Sequence, residues 1–551
     1  MTTVDELAEQ ADGGEHPADL VYGSFTDDPP WLVDPATMVW REGVDALRAR
    51  NQAEVPELVR RTTFPPGVRI VRVTRSLGTA VGLWAVGARR KGGSASRADI
   101  SRRVRIAAER LGPTYIKLAQ IVSSGEGLFP EELVSEFKKC RDSVPPEPFA
   151  SVRAVIEADF DRPLEAVFAT FDRTPLAAAS IAQVHAATLR TGERVVVKVQ
   201  RPTVAKLVKD DIRIMAWLAP FLVGRIPVAA LANPPALVDL FAETISEELD
   251  FRLEAQNMLD VAKAFADVGQ RGYAIPRPHP ELVTPRVLVM ERFDGYAFSD
   301  VVGMQEGGVD TEAVVRAGMI GFMEGCMIHG IFHGDLHGGN LIVLPDGRVG
   351  LLDFGITGRM NEFKRMAFLR MLVGASMNDV RSQVEAFRDL GALPLDVDVD
   401  AIIRDLNLDG PPIDPTQLSQ EQMLEEIQKA VKGLLEYGAR LPKELMLFIK
   451  NMMFLDGAIA TLAPNLDLFT EIANISMYFA ETHGERIAAD LGMEAEAWEM
   501  DLTGVKASFG VNPDETSSLT YQDLQERRAQ IRERWESGVK RKRRRSLRKK
   551  G

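Results

Sequence analysis

A chain of 551 residues, 45% hydrophobic and 26% charged, is long enough for a two-lobed core with extensions and has an ordinary soluble composition. Two widely separated cysteines, Cys140 and Cys326, exclude a disulfide scaffold and predict free thiols in a reducing, cytoplasmic setting. The net charge of −13, the lack of Lys or Arg before Arg41 and the absence of any run of ~18 to 20 apolar residues argue against a secreted or membrane-spanning protein.

Residues 1–37 are acidic, rich in Gly, Pro and Asp, and without a sustained period, which predicts a disordered leader. A mostly helical, arginine-rich extension is expected over 38–150, interrupted at Pro65-Pro66-Gly67 and Gly92-Gly93. Within it Leu77 to Gly87 is apolar but half a membrane span in length, so at most interfacial. Pro113 can open a helix on which Lys117 and Gln120 share a face. Taken alone, that pair reads as a solvated surface.

A small mixed lobe is expected over 151–292. The segment Ala177-Ala178-Ala179-Ser180 leads into a strand, Thr191-Gly192 makes a turn, and Val195 to Val199 forms a second strand carrying Lys198 between valines. A lysine so placed points toward a buried anion, such as the phosphates of ATP. In the acidic segment that follows, a continuous helix would put Asp250 and Glu254 one turn apart on one face. Lys198 would meet Glu254, leaving Glu248 and Asp250 for another cation. Val287 to Phe293 reads as a buried strand with Met290 and Glu291 at a hinge beside the nucleotide.

A helical lobe is expected over 293–503. A helix from Thr311 to Ile331, with Met319, Met323 and Met327 as a core stripe, leads into Phe332-His333-Gly334-Asp335-Leu336-His337-Gly338-Gly339-Asn340. Asp335 and Asn340 have the Asp-x-x-x-x-Asn spacing of a kinase catalytic loop, and Asp353-Phe354-Gly355 repeats the metal-binding DFG. Phosphoryl chemistry explains both. Charge on non-bridging oxygens calls for Mg²⁺, a hard cation that takes carboxylate and amide oxygens, here from Asp353 and Asn340. Asp335 would accept a proton from, or orient, the attacking hydroxyl or water. A hairpin of Leu341 to Val343 and Val349 to Leu352 would hold both ligands at one end. A zinc site at His333 and His337 is disfavoured, because Gly338 and Gly339 break the helix that such spacing needs. Further helices are expected near 361–378, 419–437, 442–462 and 466–490, with an acidic loop over 394–418.

Residues 504–551 turn polar and end in nine cations between Lys540 and Lys550, so the remainder of the chain carries about −22. Such a tail suits an anionic bilayer, at on the order of 1 kcal/mol per charge, and Trp535 would anchor at an interface. Nucleic acid would attract the same charges but finds no interleaved aromatic to stack on, and a merely solubilising tail is the third alternative.

Together these residues resemble the ABC1/ADCK/UbiB (AarF) family of atypical protein-kinase-like proteins, over roughly Arg103 to Asn474. The resemblance implies an α+β, bilobal kinase fold in which the loop Ala177 to Ser180 replaces the glycine-rich loop. It also implies an N-terminal Lys-x-Gly-Gln helix across the pocket, here Lys117 to Gln120, its lysine held by Glu248 with Asp250. Ala119 departs from the usual glycine. Many relatives end in hydrophobic membrane helices, whereas this chain ends in a basic tail. ATP and Mg²⁺ are the implied cofactors, and the family's link to isoprenoid quinone biosynthesis and lipid homeostasis implies a lipid-soluble acceptor. The competing expectation is a nucleotide-gated scaffold that regulates a membrane-associated complex.

Overall fold

The computed structural model describes residues 30–31, 33–64, 67–89, 93–123, 130–140, 145–222, 234–376, 379–408, 433–434, 436–439, 442–492 and 520–526. Residues 1–29 of the expected leader, most of the helix at 419–437, Trp535 and the basic run at 540–550 lie outside the described residues. The end of the leader departs from the expected disorder: Trp31 is 4% exposed in the core, its Nε1 donates to Pro278 O at 3.1 Å, and Pro35–Thr37 form a 3-10 turn. Those described fall into two compact units: one draws on 1–295, 333–344 and 350–357, the other on 296–332, 345–349 and 358–551.

The first unit starts with helices α1 (Val44–Leu58), α2 (Arg69–Val86), α3 (Gly93–Leu111), α4 (Pro113–Ser123) and α5 (Glu131–Phe137). Helices α6 (Phe149–Phe160) and α7 (Leu164–Val167) precede a sheet built from β1 (Phe168–Phe171), β2 (Ala177–Ala178), β3 (Ala182–Leu189) and β4 (Arg194–Gln200). Helices α8 (Val204–Leu222), α9 (Pro234–Glu248) and α10 (Phe251–Asp267) follow, then β5 (Tyr273–Ala274), β6 (Pro278–Val283) and β7 (Val287–Glu291). The strand order is β1-β3-β4-β7-β6, with β2 on β3. The expected hairpin is β3-β4, in register Val184 to Lys198, and its turn carries Gly192 at φ +108°, where a Cβ is strained.

Strand alternation decides what β4 does. Val195, Val197 and Val199 turn to one face, 0 to 1% exposed, and join Ile156 of α6 and Val287 and Val289 of β7 in a core. The intervening Lys198 therefore faces the other way, toward α10.

The expectation for the acidic segment is overturned. The acidic segment is not a continuous helix: α9 stops at Glu248, and Asp250 is extended (φ −135°, ψ 109°), capping α10 by accepting from Arg252 N. Two neighbours explain the break. Gln200 Nε2 donates to the Leu249 carbonyl at 3.0 Å, and Phe251 N donates to Pro285 O, so these backbone groups are taken by strand neighbours instead of a helix.

In the second unit, α11 (Val301–Glu306) and α12 (Thr311–Glu324) run into a π-helical turn, Gly325–His329, ended by Gly330 at φ +66°. The helix expected to reach Ile331 thus stops seven residues early, and β8 (Tyr296–Ala297) and β9 (Ile331–His333) are short strands. Its buried face is Val314, Val315, Gly318, Gly321 and Phe322. Of the methionines expected as a core stripe, Met327 is buried while Met319 and Met323 are half-buried at its margin. Helices α13 (Glu362–Ser376), α14 (Val380–Asp389), α15 (Val399–Asp405), α16 (Lys443–Leu462) and α17 (Leu468–Leu491) complete this unit. Against expectation, α16 is long and apolar enough to cross a membrane by length and composition. Here Phe448 packs on Phe322 and Phe368, and Asn451 is fully buried, as in a core helix.

Candidate active site

All the chemically loaded residues of the sequence reading lie in the first unit. β10 (Leu341–Val343) pairs with β11 (Val349–Leu351), and Leu352 N donates to Asn340 O at 2.8 Å, so the hairpin holds Asn340 beside Asp353. β12 (Thr357–Arg359) follows.

Lys198 Nζ lies 2.7 Å from Glu254 Oε1 and 3.0 Å from Asp353 Oδ1, over the Phe251 ring at 5.5 Å. One cation thus serves two carboxylates of different surroundings. Glu254 is 2% exposed, whereas the Asp353 side chain is 45% exposed. Burial, reinforced by Asp353 and Glu248, raises the Glu254 carboxyl to about 7 against the pull of Lys198. Burial also opposes ionisation of Asp353, but Lys198 and Lys117 outweigh it and hold that carboxyl well below the usual range. Burial disfavours the Lys198 cation, yet Asp353 and Glu254 keep it charged. The excess negative charge of this cluster titrates at Glu254.

Asp353 sits at φ +60°, a left-handed conformation uncommon outside glycine. Gly355 N donates to Asp353 Oδ1 at 3.2 Å, and a Cβ at Gly355 would lie 3.1 Å from that oxygen and 3.3 Å from Glu248 Cγ, so a side chain at the third DFG position would press on both carboxylate residues. His333 stitches the loop. Asp335 N donates to its Nδ1 at 3.2 Å, which leaves the proton on Nε2 to donate to Asp353 O at 2.9 Å. Burial lowers its pKa, consistent with this neutral ring. His337 Nδ1 accepts from Gly339 N. Among the described residues no group of three His, Cys, Asp or Glu is arranged to hold a metal.

Asn340 Nδ2 donates to Asp335 O at 3.0 Å, which turns its amide oxygen away from that contact. An amide oxygen and a carboxylate fit Mg²⁺, which binds through one or two protein ligands plus substrate phosphates rather than in an all-protein cage.

Lys117 of α4 reaches Glu248 Oε1 at 2.9 Å, with both side chains largely buried. The contact is an ion pair without aligned donation, since Glu248 Oε1 has no hydrogen-bond partner. Burial raises the Glu248 carboxyl, Asp353 and Asp335 add to this, and Lys117 opposes them. Asp250 does not join Glu248 as the resemblance implied: its carboxylate is taken by Arg252 at 2.8 Å. Gln120 is half-buried one turn beyond Lys117, and Ala119 is 1% exposed.

Ala177 to Ser180 form a tight turn in which Ala179 N donates to Ala182 O at 2.8 Å. Arg201 clamps it, donating to Ala179 O, Glu147 and Pro145 O. Met290 and Glu291 end β7, both 6% exposed, and the Glu291 carboxylate accepts from Arg277 N. Sequence reasoning passed over Arg201, one of several basic residues after the β4 valines. It also passed over a relay from the extension: Arg48 of α1 donates to Asn257 Oδ1 at 2.8 Å, and Asn257 Nδ2 donates to the Phe354 carbonyl at 2.9 Å. No spacing rule reaches across 209 residues.

A strand lysine paired with a helix glutamate, an Asp-x-x-x-x-Asn loop and a DFG turn define a protein-kinase-like protein. Residues 139–387 match the ABC1 atypical kinase-like domain. An uncharacterized Mycobacterium tuberculosis protein, Rv0647c, is 35% identical over 377 residues, covering 67% of this chain and 76% of that protein. An uncharacterized aarF domain-containing protein kinase of Arabidopsis thaliana chloroplasts is 33% identical, covering 66% and 72%. The probable protein kinase UbiB of Aeromonas salmonicida is 30% identical, covering 67% and 69%. This chain belongs to the ABC1/UbiB family of atypical kinase-like proteins.

Proposed function

We propose that this protein is a Mg-ATP-dependent atypical kinase or ATPase acting on a lipid-soluble small molecule, in lipid or isoprenoid quinone metabolism, rather than on proteins. The observation that carries the reading is Lys198 held between Glu254 and Asp353, a cation presented where phosphates enter and a metal ligand beside it. In this reading Lys198 binds the α- and β-phosphates, Glu254 orients it, and Asp353 with Asn340 holds the metal. Mg²⁺, when bound, neutralises charge on the transferring phosphoryl oxygens. Asp335, fixed through its backbone by His333 and Asn340, orients or deprotonates the acceptor hydroxyl or water. Ala177 to Ser180 close over the phosphates, and Met290 and Glu291 border the base. The acceptor class rests on the family resemblance. The test is titration of ATP with and without Mg²⁺ into wild type and Lys198→Met. Tight binding lost in the variant supports the reading, and equal affinity of both contradicts it.

A second reading is favoured by the buried Lys117–Glu248 ion pair, whose cation also acts on Asp335 and Asp353. Lys117 then holds the site closed, and the output is a nucleotide-dependent conformational change passed to a membrane-associated complex. It predicts tight binding with negligible turnover even in Lys117→Ala, and rapid turnover by that variant contradicts it. The tail at 540–550 would add peripheral contact with an anionic membrane, measured by vesicle sedimentation with and without it.

A further inference from the structure

Between Glu57 and Asp99 the chain has no acidic residue and nine Lys or Arg, inside a protein of net charge −13. Helix α2 lies within this stretch. Its inner face, Ile70, Val73, Ala80 and Trp84, is buried, and Trp84 Nε1 donates to Ser96 at 3.0 Å. At 100° per residue the opposite face carries Val68, Val71, Arg72, Arg75, Leu83 and Val86. The exposures reverse the usual pattern for a surface helix: Val68 is 92% exposed, Val86 85%, Val71 66% and Leu83 55%. Phe64, just before the helix, is 79% exposed. Two cations of the stretch are drawn into the unit, Arg69 to Asp211 and Arg97 to Glu132. Arg72 and Arg75 stand exposed among the aliphatic side chains, Arg72 also donating to the Arg110 carbonyl at 3.0 Å at the surface.

We propose that this outer face of α2 is a docking surface for an anionic lipid bilayer, lying in the plane of the interface and separate from the C-terminal tail. Charge complementarity and the aliphatic exposure select the occupant together. An anionic headgroup layer rewards the arginines, and the acyl boundary beneath rewards Val68, Val71, Leu83 and Val86. A polynucleotide would reward the cations but not the aliphatic carbon. A second copy of the same face would bring like charges together. The inner face is already committed to the unit, so docking needs no rearrangement of α2.

The test is the partition coefficient of the full chain onto phosphatidylcholine vesicles with and without phosphatidylglycerol, by sedimentation. Because all variants keep the tail, its contribution cancels in their ratios, and no step depends on ATP turnover. Arg72→Gln with Arg75→Gln should weaken binding to the anionic vesicles about 25-fold, roughly fivefold per charge. A variant with Ser at Val68, Val71, Leu83 and Val86 should weaken it at least about tenfold. These side chains are exposed, so both variants should keep the wild-type circular dichroism spectrum. Full retention by the serine variant, retention by the arginine variant, or serine-insensitive binding of duplex DNA in place of vesicles would each overturn the proposal. As a second readout, an environment-sensitive fluorophore on Val86→Cys should shift to the blue with anionic vesicles, and an unchanged spectrum would count against it.

Discussion

Replacing Glu254 by glutamine should remove a pH dependence of stability that the wild type carries. Glu254 is 2% exposed and shares its cation with Asp353, and burial with the nearby carboxylates raises its pKa from 4.5 to about 7. A group whose folded pKa lies above its unfolded value stabilises fully below the unfolded pKa, and that contribution is lost as pH rises through the folded one. The window is therefore about pH 4.5 to 7, and at about 1.4 kcal/mol per pH unit the loss across it is up to about 3 kcal/mol. The amide of Glu254→Gln cannot ionise, so the difference in unfolding free energy between variant and wild type should shift in favour of the variant by up to that amount between about pH 5 and pH 8. Urea unfolding followed by circular dichroism at each pH measures it, and the other titrating groups cancel in the difference. The variant should at the same time bind ATP more weakly, because Lys198 loses its orienting partner. Parallel stability curves for the two proteins would refute the assignment of the excess charge to Glu254.

Arg48→Ala, which cuts the relay through Asn257 to the Phe354 carbonyl, should weaken Mg²⁺-dependent ATP binding about 2- to 10-fold, the worth of one hydrogen bond, with partial rescue by Arg48→Lys. Calorimetric titration checks this. Lys117→Ala leaves Glu248 buried without its cation. It should therefore lower stability by about 3 kcal/mol where Glu248 is ionised and by less as the pH falls, since burial already raises this carboxyl and losing Lys117 raises it further, and should raise ATP turnover. Ala119→Gly removes a methyl that is 1% exposed and adds helix-backbone freedom, so a loss of about 1 to 2 kcal/mol is expected in thermal unfolding.

Local patterns were legible where one interaction dominates. The β3-β4 hairpin followed from a valine-rich run and a glycine turn, and the β10-β11 hairpin from two short apolar runs about a turn in which Gly347 takes φ +87°. Lys198 and Glu254 were paired by their types and order, and they meet at 2.7 Å. The misses are tertiary. Asp250 has a helical neighbour pattern, but an aspartate accepts as well at an N-cap, and Gln200, 50 residues upstream, takes the preceding carbonyl. The helix expected to reach Ile331 turns π-helical at Gly325, where a Cβ would lie 2.6 Å from Ile331 O, a close approach that periodicity does not reveal. The interfacial reading of Leu77 to Gly87 did not reach the outer face of α2, because composition does not say which side is buried; that shows only once Ile70, Val73, Ala80 and Trp84 are seen to take the inner side.

The most direct test of the central claim is the rate of Mg²⁺-dependent ATP hydrolysis by wild type and Asp353→Asn, with and without anionic liposomes. Asparagine keeps the shape but removes the carboxylate beside Lys198, so hydrolysis should fall at least about 100-fold while the fold is retained. Undiminished hydrolysis by Asp353→Asn would contradict a metal-assisted site at this residue.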